Sequence, residues 1–189
     1  MHPTVQALLS RGPVLTDGAW GTELQARGLS VGEFPDLWNL AHPERVSEVA
    51  RAYVEAGSRL ILTNTFGANR IRLRENDAAD KLVEINRRGV ELSRAAAQGR
   101  SQVFASIGPT GKLLMSGDVT ADEMRAAFAE QARALADGGA DGLVVETMSD
   151  LEEASLAVEA ARETGLPVVA CMVFDSGREH DRTMMGSTP

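Results

Sequence analysis

Gly139-Ala140-Asp141-Gly142-Leu143-Val144-Val145-Glu146-Thr147 aligns without a gap on Gly57-Ser58-Arg59-Leu60-Ile61-Leu62-Thr63-Asn64-Thr65. Each copy opens with a glycine where a helix would end, runs on as a short apolar segment, and meets a polar residue seven positions after the glycine. Apolar runs with little alternation are what parallel strands buried on both faces require. Working outward, the same reading covers Val14–Thr16, Leu60–Thr63, Val103–Ile107, Leu143–Val145 and Val168–Phe174. Four stretches with a 3.6-residue period lie between them. Their stripes are Val46/Val49/Ala50/Tyr53, Leu82/Ile85/Gly89/Leu92, Met124/Phe128/Ala132/Leu135 and Leu151/Ala154/Val158/Ala161. Pro43 suits the start of the first of these helices, and Thr120 with Glu123 has capping-box spacing at the start of the third.

The strands end in polar residues: Thr16-Asp17-Gly18, Thr63-Asn64-Thr65, Ser106-Ile107-Gly108 and Glu146-Thr147. A repeated strand–loop–helix unit with polar groups gathered at the strand ends is how a (β/α) barrel builds a site. The expectation is an α/β chain forming one domain over residues 1–189, with five strands and four helices. A complete barrel takes about 250 residues. Ser187-Thr188-Pro189 reads as a helix N-cap with proline following, so the chain is expected to cover only the first part of the barrel. An open sheet of that kind exposes unpaired edges and apolar faces, so a homo-oligomer is expected.

Composition excludes several classes of function. A formal charge of -8 argues against nucleic-acid and anionic-membrane partners, which reward basic patches. No run of 18 or more apolar residues suggests a membrane span, and Met1-His2-Pro3-Thr4 does not open a secretory signal. The single cysteine, Cys171, cannot form an internal disulfide, which fits a cytoplasmic location.

Among the strand-end residues, Asp17 opens Asp17-Gly18-Ala19-Trp20-Gly21-Thr22. It reads either as a turn cap or as a carboxylate that holds a ligand amine while the glycines let backbone approach closely. Glu146 ends an apolar run, so it must emerge into a polar site or form a structural ion pair. Two carboxylates at separate strand ends would suit an amino-acid ammonium group. Gly108-Pro109-Thr110-Gly111-Lys112 departs from the phosphate-binding pattern at both ends and reads as a strand-end turn. Cys171, within Val168–Met172, is expected as a small buried hydrophobe, and His180 as a solvated loop residue, with His42 more distant. No set of metal ligands is apparent, since zinc needs three or four.

Together these segments resemble the homocysteine S-methyltransferases, a family that includes betaine–homocysteine methyltransferases and the homocysteine module of cobalamin-dependent methionine synthase. The resemblance rests on Leu15-Thr16-Asp17-Gly18-Ala19-Trp20-Gly21-Thr22-Glu23-Leu24 and on Glu55-Ala56-Gly57-Ser58 leading into Leu62-Thr63-Asn64-Thr65-Phe66-Gly67. It continues through Ser106-Ile107-Gly108-Pro109-Thr110-Gly111, Gly138-Gly139-Ala140-Asp141, Val144-Val145-Glu146-Thr147 and Arg182-Thr183-Met184-Met185-Gly186. It implies a (β/α)8 TIM barrel that transfers a methyl group to the thiol of homocysteine, giving methionine. It also implies a zinc cofactor held by three cysteines, which makes the thiol a nucleophile at neutral pH. Asp17, the backbone at Gly18 and Ala19, and Glu146 would bind the amino-acid end of homocysteine, with Asn64, Thr65 and Phe66 lining the same pocket. The family's zinc cysteines lie in Gly-x-Asn-Cys-like and Gly-Gly-Cys-Cys-like segments, and this sequence contains neither. The chain is therefore expected to carry the amino-acid-binding half of the site and to be inactive alone. The methyl donor stays open among betaine, S-methylmethionine, another sulfonium compound and a methyl-corrinoid protein. Two alternatives are a catalytically silent half-barrel serving as an interaction module and a metal-free barrel enzyme. Against the second, no lysine stands at a strand end.

Overall fold

The computed structural model describes residues 1–10 and 12–189. In chain order the helices and strands are α1 (Pro3–Leu9), α2 (Trp20–Ala26), α3 (Trp38–Ala41), α4 (Pro43–Glu55), β1 (Leu60–Ile61), α5 (Arg70–Arg74), α6 (Leu82–Ala97), β2 (Gln102–Ile107), α7 (Ala121–Asp137), β3 (Gly142–Met148), α8 (Leu151–Arg162) and β4 (Val168–Met172). The strands form one parallel sheet in the order β1-β2-β3-β4. Sequential parallel strands with α6, α7 and α8 as crossovers make this part of a (β/α) barrel. No helix among the described residues is long and apolar enough to cross a membrane.

Three of the four periodic stripes bury with only Tyr53 left half-buried, but in the fourth, on α8, Ala154 and Ala161 are buried while Val158 is half-buried and Leu151 is exposed. Val46, Val49 and Ala50 of α4, Leu82, Ile85, Gly89 and Leu92 of α6, and Met124, Phe128, Ala132 and Leu135 of α7 are all buried. The largest apolar cluster joins α7 and α8 to β2 and β3 through Phe128, Leu135, Ile107, Leu143 and Val145. Thr120 and Glu123 form the capping box at the start of α7. Gly57 and Gly139 both take positive φ after their helices, +99° and +90°, so the two halves of the repeat turn into their strands in the same way.

The first predicted strand, Val14–Thr16, is corrected to a single parallel bridge between Thr16 and Leu60. Backwards, the Ser58 N–H that would continue the ladder donates to the Tyr53 carbonyl, and the Ser58 carbonyl accepts from the Ser101 hydroxyl. Forwards, the ladder is taken over by side chains: the Leu62 N–H donates to the Asp17 carboxylate at 2.7 Å. For the same reason β1 covers Leu60–Ile61 and does not reach Thr63. Beyond Ile61 the Ser106 N–H donates to the Thr63 hydroxyl at 3.1 Å, and the Thr65 hydroxyl donates to the Ser106 carbonyl at 2.8 Å. The sheet opens at this end with its backbone groups still satisfied. The last predicted strand also ends early, at Met172.

Cys171 is exposed, contrary to its expected burial. β4 is the outer strand of the sheet, with β3 as its one strand neighbour among the described residues. The inner sheet face carries Leu60, Leu62, Phe104, Val144 and Val169, against which Val5 and Leu8 of α1 pack. His180 is exposed in its loop, as expected.

Gly89 shows how closely α6 sits on the strand ends. A Cβ there would lie 2.5 Å from Cγ2 of Thr65 and 2.8 Å from Nδ2 of Asn39. That amide donates to the carbonyls of Asn64 and Ile85. In an exposed helix, Gly→Ala gains about 1 kcal/mol. Here the overpacking, at about 1–3 kcal/mol, and the disturbed buried amide outweigh it. Gly89→Ala is expected to lower the chemical-denaturation midpoint, and a raised midpoint would contradict the packing described.

Candidate functional site

The polar residues at the opened end of the sheet surround a cavity of about 370 Å³. Its wall includes Gly18, Ala19, Trp20, Phe34, Asp36, Asn64, Phe66, Arg72, Ser106 and Glu146. A second, more apolar cavity of about 390 Å³ lies on the inner sheet face and includes Asp17 and Cys171. Gly18, Leu62 and Glu146 border both spaces.

Glu146 reaches this position through an irregularity. The β3–β4 register shifts between Val145 and Met148, and Thr147 adopts φ +60°. A β-branched residue in the left-handed region is strained, and a bulge re-aims the neighbouring side chain. The half-buried Glu146 carboxylate accepts a 2.5 Å hydrogen bond from the Ser106 hydroxyl. Burial pushes its pKa up, the Ser106 bond pulls it down, and the Asp17 charge raises it again. Asp17 is likewise half-buried, and its Oδ2 accepts from the Trp20 indole at 2.8 Å and the Leu62 N–H at 2.7 Å. Burial raises its pKa against those two bonds. Neither carboxylate forms an ion pair with a described residue. That removes the structural ion pair as the account of Glu146 among the described residues. Asp17 does not cap its own turn: Oδ2 bonds the Trp20 indole and the N–H of Leu62 on the neighbouring segment, and no hydrogen bond runs to it from the backbone of residues 18–21.

The other expected site residues fall into two groups. Gly18, Ala19, Asn64 and Phe66 border the 370 Å³ cavity. Asn64 is also tied into the fold, donating to the Pro35 carbonyl at 2.8 Å and to the Asn39 side chain at 3.1 Å. Phe66 packs on Gly108, where a Cβ would meet its ring at 2.5 Å. Thr65 is fully buried, bonded to Ser106 and Thr63, and is absent from the cavity wall.

Two buried carboxyls escaped the sequence reading. Glu153 of α8 accepts from the Thr110 N–H and hydroxyl at 2.7 and 2.6 Å, fastening the turn after β2. Asp36 accepts from the Gly67 N–H at 2.9 Å and so fixes the turn after Phe66. Nothing local in Phe34-Pro35-Asp36 signals a partner 31 positions away. Zinc, expected from the resemblance, does not fit the side chains present: among the described residues no group of three or more His, Cys, Asp or Glu could hold a metal ion.

Burial pushes the pKa of Asp36 up to about 7, with the Gly67 N–H and the Arg72 guanidinium pulling the other way. A carboxyl whose folded pKa exceeds its unfolded value holds its proton more tightly in the folded state. The stability it contributes is therefore present below about pH 4 and is lost as pH rises towards 7. Asp36→Asn keeps an acceptor for Gly67 and cannot ionise. The stability of the variant relative to wild type should rise between pH 4 and 7 in thermal melts. A difference that does not change with pH would contradict the burial of Asp36 as an acid.

The profile of the homocysteine S-methyltransferases matches residues 14–189. The methionine synthase of Mycobacterium tuberculosis (strain ATCC 25618 / H37Rv) is 34% identical over 167 residues, and that of Mycobacterium leprae (strain TN) is 34% identical over 166. Each alignment covers 82% of this chain and 14% of the relative, so the chain spans about one seventh of those proteins. The crystal structure of the homocysteine methyltransferase MmuM from Escherichia coli in its metallated form superposes with a TM-score of 0.80 at 25% identity, covering 97% of this chain and 70% of that one. The apo form of MmuM gives 0.71 at 23% identity, covering 96% and 66%, and bears on the fold alone. The matched region runs from the first bridge through the carboxylates at both strand ends, and the chain belongs to the homocysteine S-methyltransferase family.

Proposed function

We propose that this chain supplies the amino-acid-binding part of an enzyme that transfers a methyl group to the thiol of homocysteine, giving methionine. The observation that carries the proposal is the pair of half-buried carboxylates, Asp17 and Glu146, with no cation paired to either among the described residues. Burial without a partner raises the cost of each negative charge, and an incoming ammonium group relieves it. Ser106 orients Glu146, and Trp20 with Leu62 orients Asp17. The exposed backbone at Gly18 and Ala19 stands beside them.

In this reading the substrate is held by its amino-acid end, with Asn64 and Phe66 on the wall of the same cavity. Thr65 acts behind that wall, fastening the strand ends. The whole enzyme is zinc-dependent in this proposal. The side chains of this chain do not assemble a zinc site, so activation of the sulfur is assigned to none of them. The methyl donor is betaine, S-methylmethionine, another sulfonium compound or a methyl-corrinoid protein. The family assignment and the single cysteine support a cytoplasmic enzyme.

Glu146→Gln keeps the shape of the side chain and removes its charge. Loss of a charge-assisted hydrogen bond to the ammonium group costs about 1.5–3 kcal/mol. Titration calorimetry should show homocysteine binding weakened roughly tenfold to a hundredfold. Unchanged affinity would contradict the role given to Glu146, and no homocysteine binding by the wild-type chain would favour the interaction-module alternative.

A further inference from the structure

Six arginines among the described residues are half-buried: Arg27, Arg45, Arg59, Arg70, Arg72 and Arg125. Five of them donate to a carboxylate or a backbone carbonyl. Arg72 is the exception: its guanidinium donates no hydrogen bond to a described residue, although it borders the 370 Å³ cavity. A half-buried guanidinium with its donors unused is free to meet an incoming acceptor.

The Arg72 side chain sits in a seat formed by the fold. Asn69 caps α5 by accepting from the Arg72 N–H at 3.0 Å, which fixes the backbone. On one side the guanidinium carbon stands 5.9 Å from the centre of the Phe34 ring. On the other it lies against Gly111, at φ +75°, where a Cβ would come within 2.9 Å of Nη1. The two acids close enough to act on it are already engaged. Glu75 pairs with Lys112 at 2.6 Å. Asp36 is bonded to the Gly67 N–H, and its burial favours the neutral acid.

The same cavity has Glu146 on its wall, with Asp17 beside it across Gly18. It therefore offers unpaired negative charge and an unpaired fork of donors to one ligand. We infer that Arg72 receives the α-carboxylate of the amino-acid ligand whose ammonium group meets Asp17 and Glu146. This rests on the amino-acid reading of the site and adds a specificity residue to it. A planar guanidinium suits a carboxylate because two parallel N–H groups match its two oxygens.

Calorimetric titration with three probes separates the two ends of the ligand: homocysteine, its amine-free analogue mercaptobutanoate and its carboxylate-free analogue aminopropanethiol. Arg72→Met should weaken homocysteine and mercaptobutanoate about tenfold or more and leave aminopropanethiol unchanged. Arg72→Lys, which keeps the charge but loses the fork, should fall between wild type and Arg72→Met, and it carries the test if the methionine variant does not fold. Glu146→Gln should show the opposite pattern, losing aminopropanethiol and keeping mercaptobutanoate. If mercaptobutanoate binds equally to wild type and the Arg72 variants, or binds to none of them, the inference is overturned. Equal losses for all three probes would also overturn it. If the Arg72 pattern appears and Glu146→Gln changes nothing, Arg72 stands as a carboxylate site and the role of Glu146 falls.

Discussion

The structure turns on how the parallel ladder ends. Backbone N–H and C=O groups cannot be left unpaired when buried, and here the side chains of Asp17, Thr63 and Thr65 take the bonds that a longer strand would have made. The strands can then separate at one end without leaving orphaned backbone groups. The separated ends form the cavity, and the residues that permit the separation are polar. Placement of chemistry at this end of the sheet thus follows from hydrogen-bond accounting as much as from the barrel topology.

Much of the fold is legible in the sequence because it depends on local periodicity. The stripes of α6 and α7 bury in full and that of α4 all but half-buried Tyr53, whereas α8 buries Ala154 and Ala161 and leaves Leu151 exposed; four of the five apolar runs form strands. The errors arise where a segment's state depends on partners far along the chain. Val14–Thr16 has strand composition, yet the Asp17 carboxylate on one side and the engaged Ser58 backbone on the other limit it to one bridge. Cys171 has the neighbours of a core residue, and it is exposed on the wall of the 390 Å³ cavity at the inner sheet face. At the site, Asp17 and Glu146 stood out because a charge ending an apolar run is visible locally. Asp36, Glu153 and Arg72 did not, because what distinguishes each is a contact, or a missing contact, that only the folded chain defines.

The electrostatics of the cavity have one theme. Burial raises the pKa of Asp17, Asp36, Glu146 and Glu153 alike, and their hydrogen bonds pull against it without cancelling it. Glu153 has two bonds from Thr110 and serves the fold. Glu146 has a single bond, from Ser106, and a second carboxylate nearby. The difference separates a carboxylate satisfied by the protein from one left to be satisfied by a ligand. The bulge at Thr147, which holds Glu146 towards the cavity at the expense of backbone strain, agrees with the second description.

The central claim is that Asp17 and Glu146 together seat the ammonium group of an amino acid. A crystal structure of the protein grown with homocysteine tests it most directly. The account predicts the homocysteine nitrogen within about 3 Å of a carboxylate oxygen of each residue, with Ser106 still donating to Glu146. Homocysteine bound with its amine turned away from both carboxylates, or seated elsewhere on the chain, would contradict it.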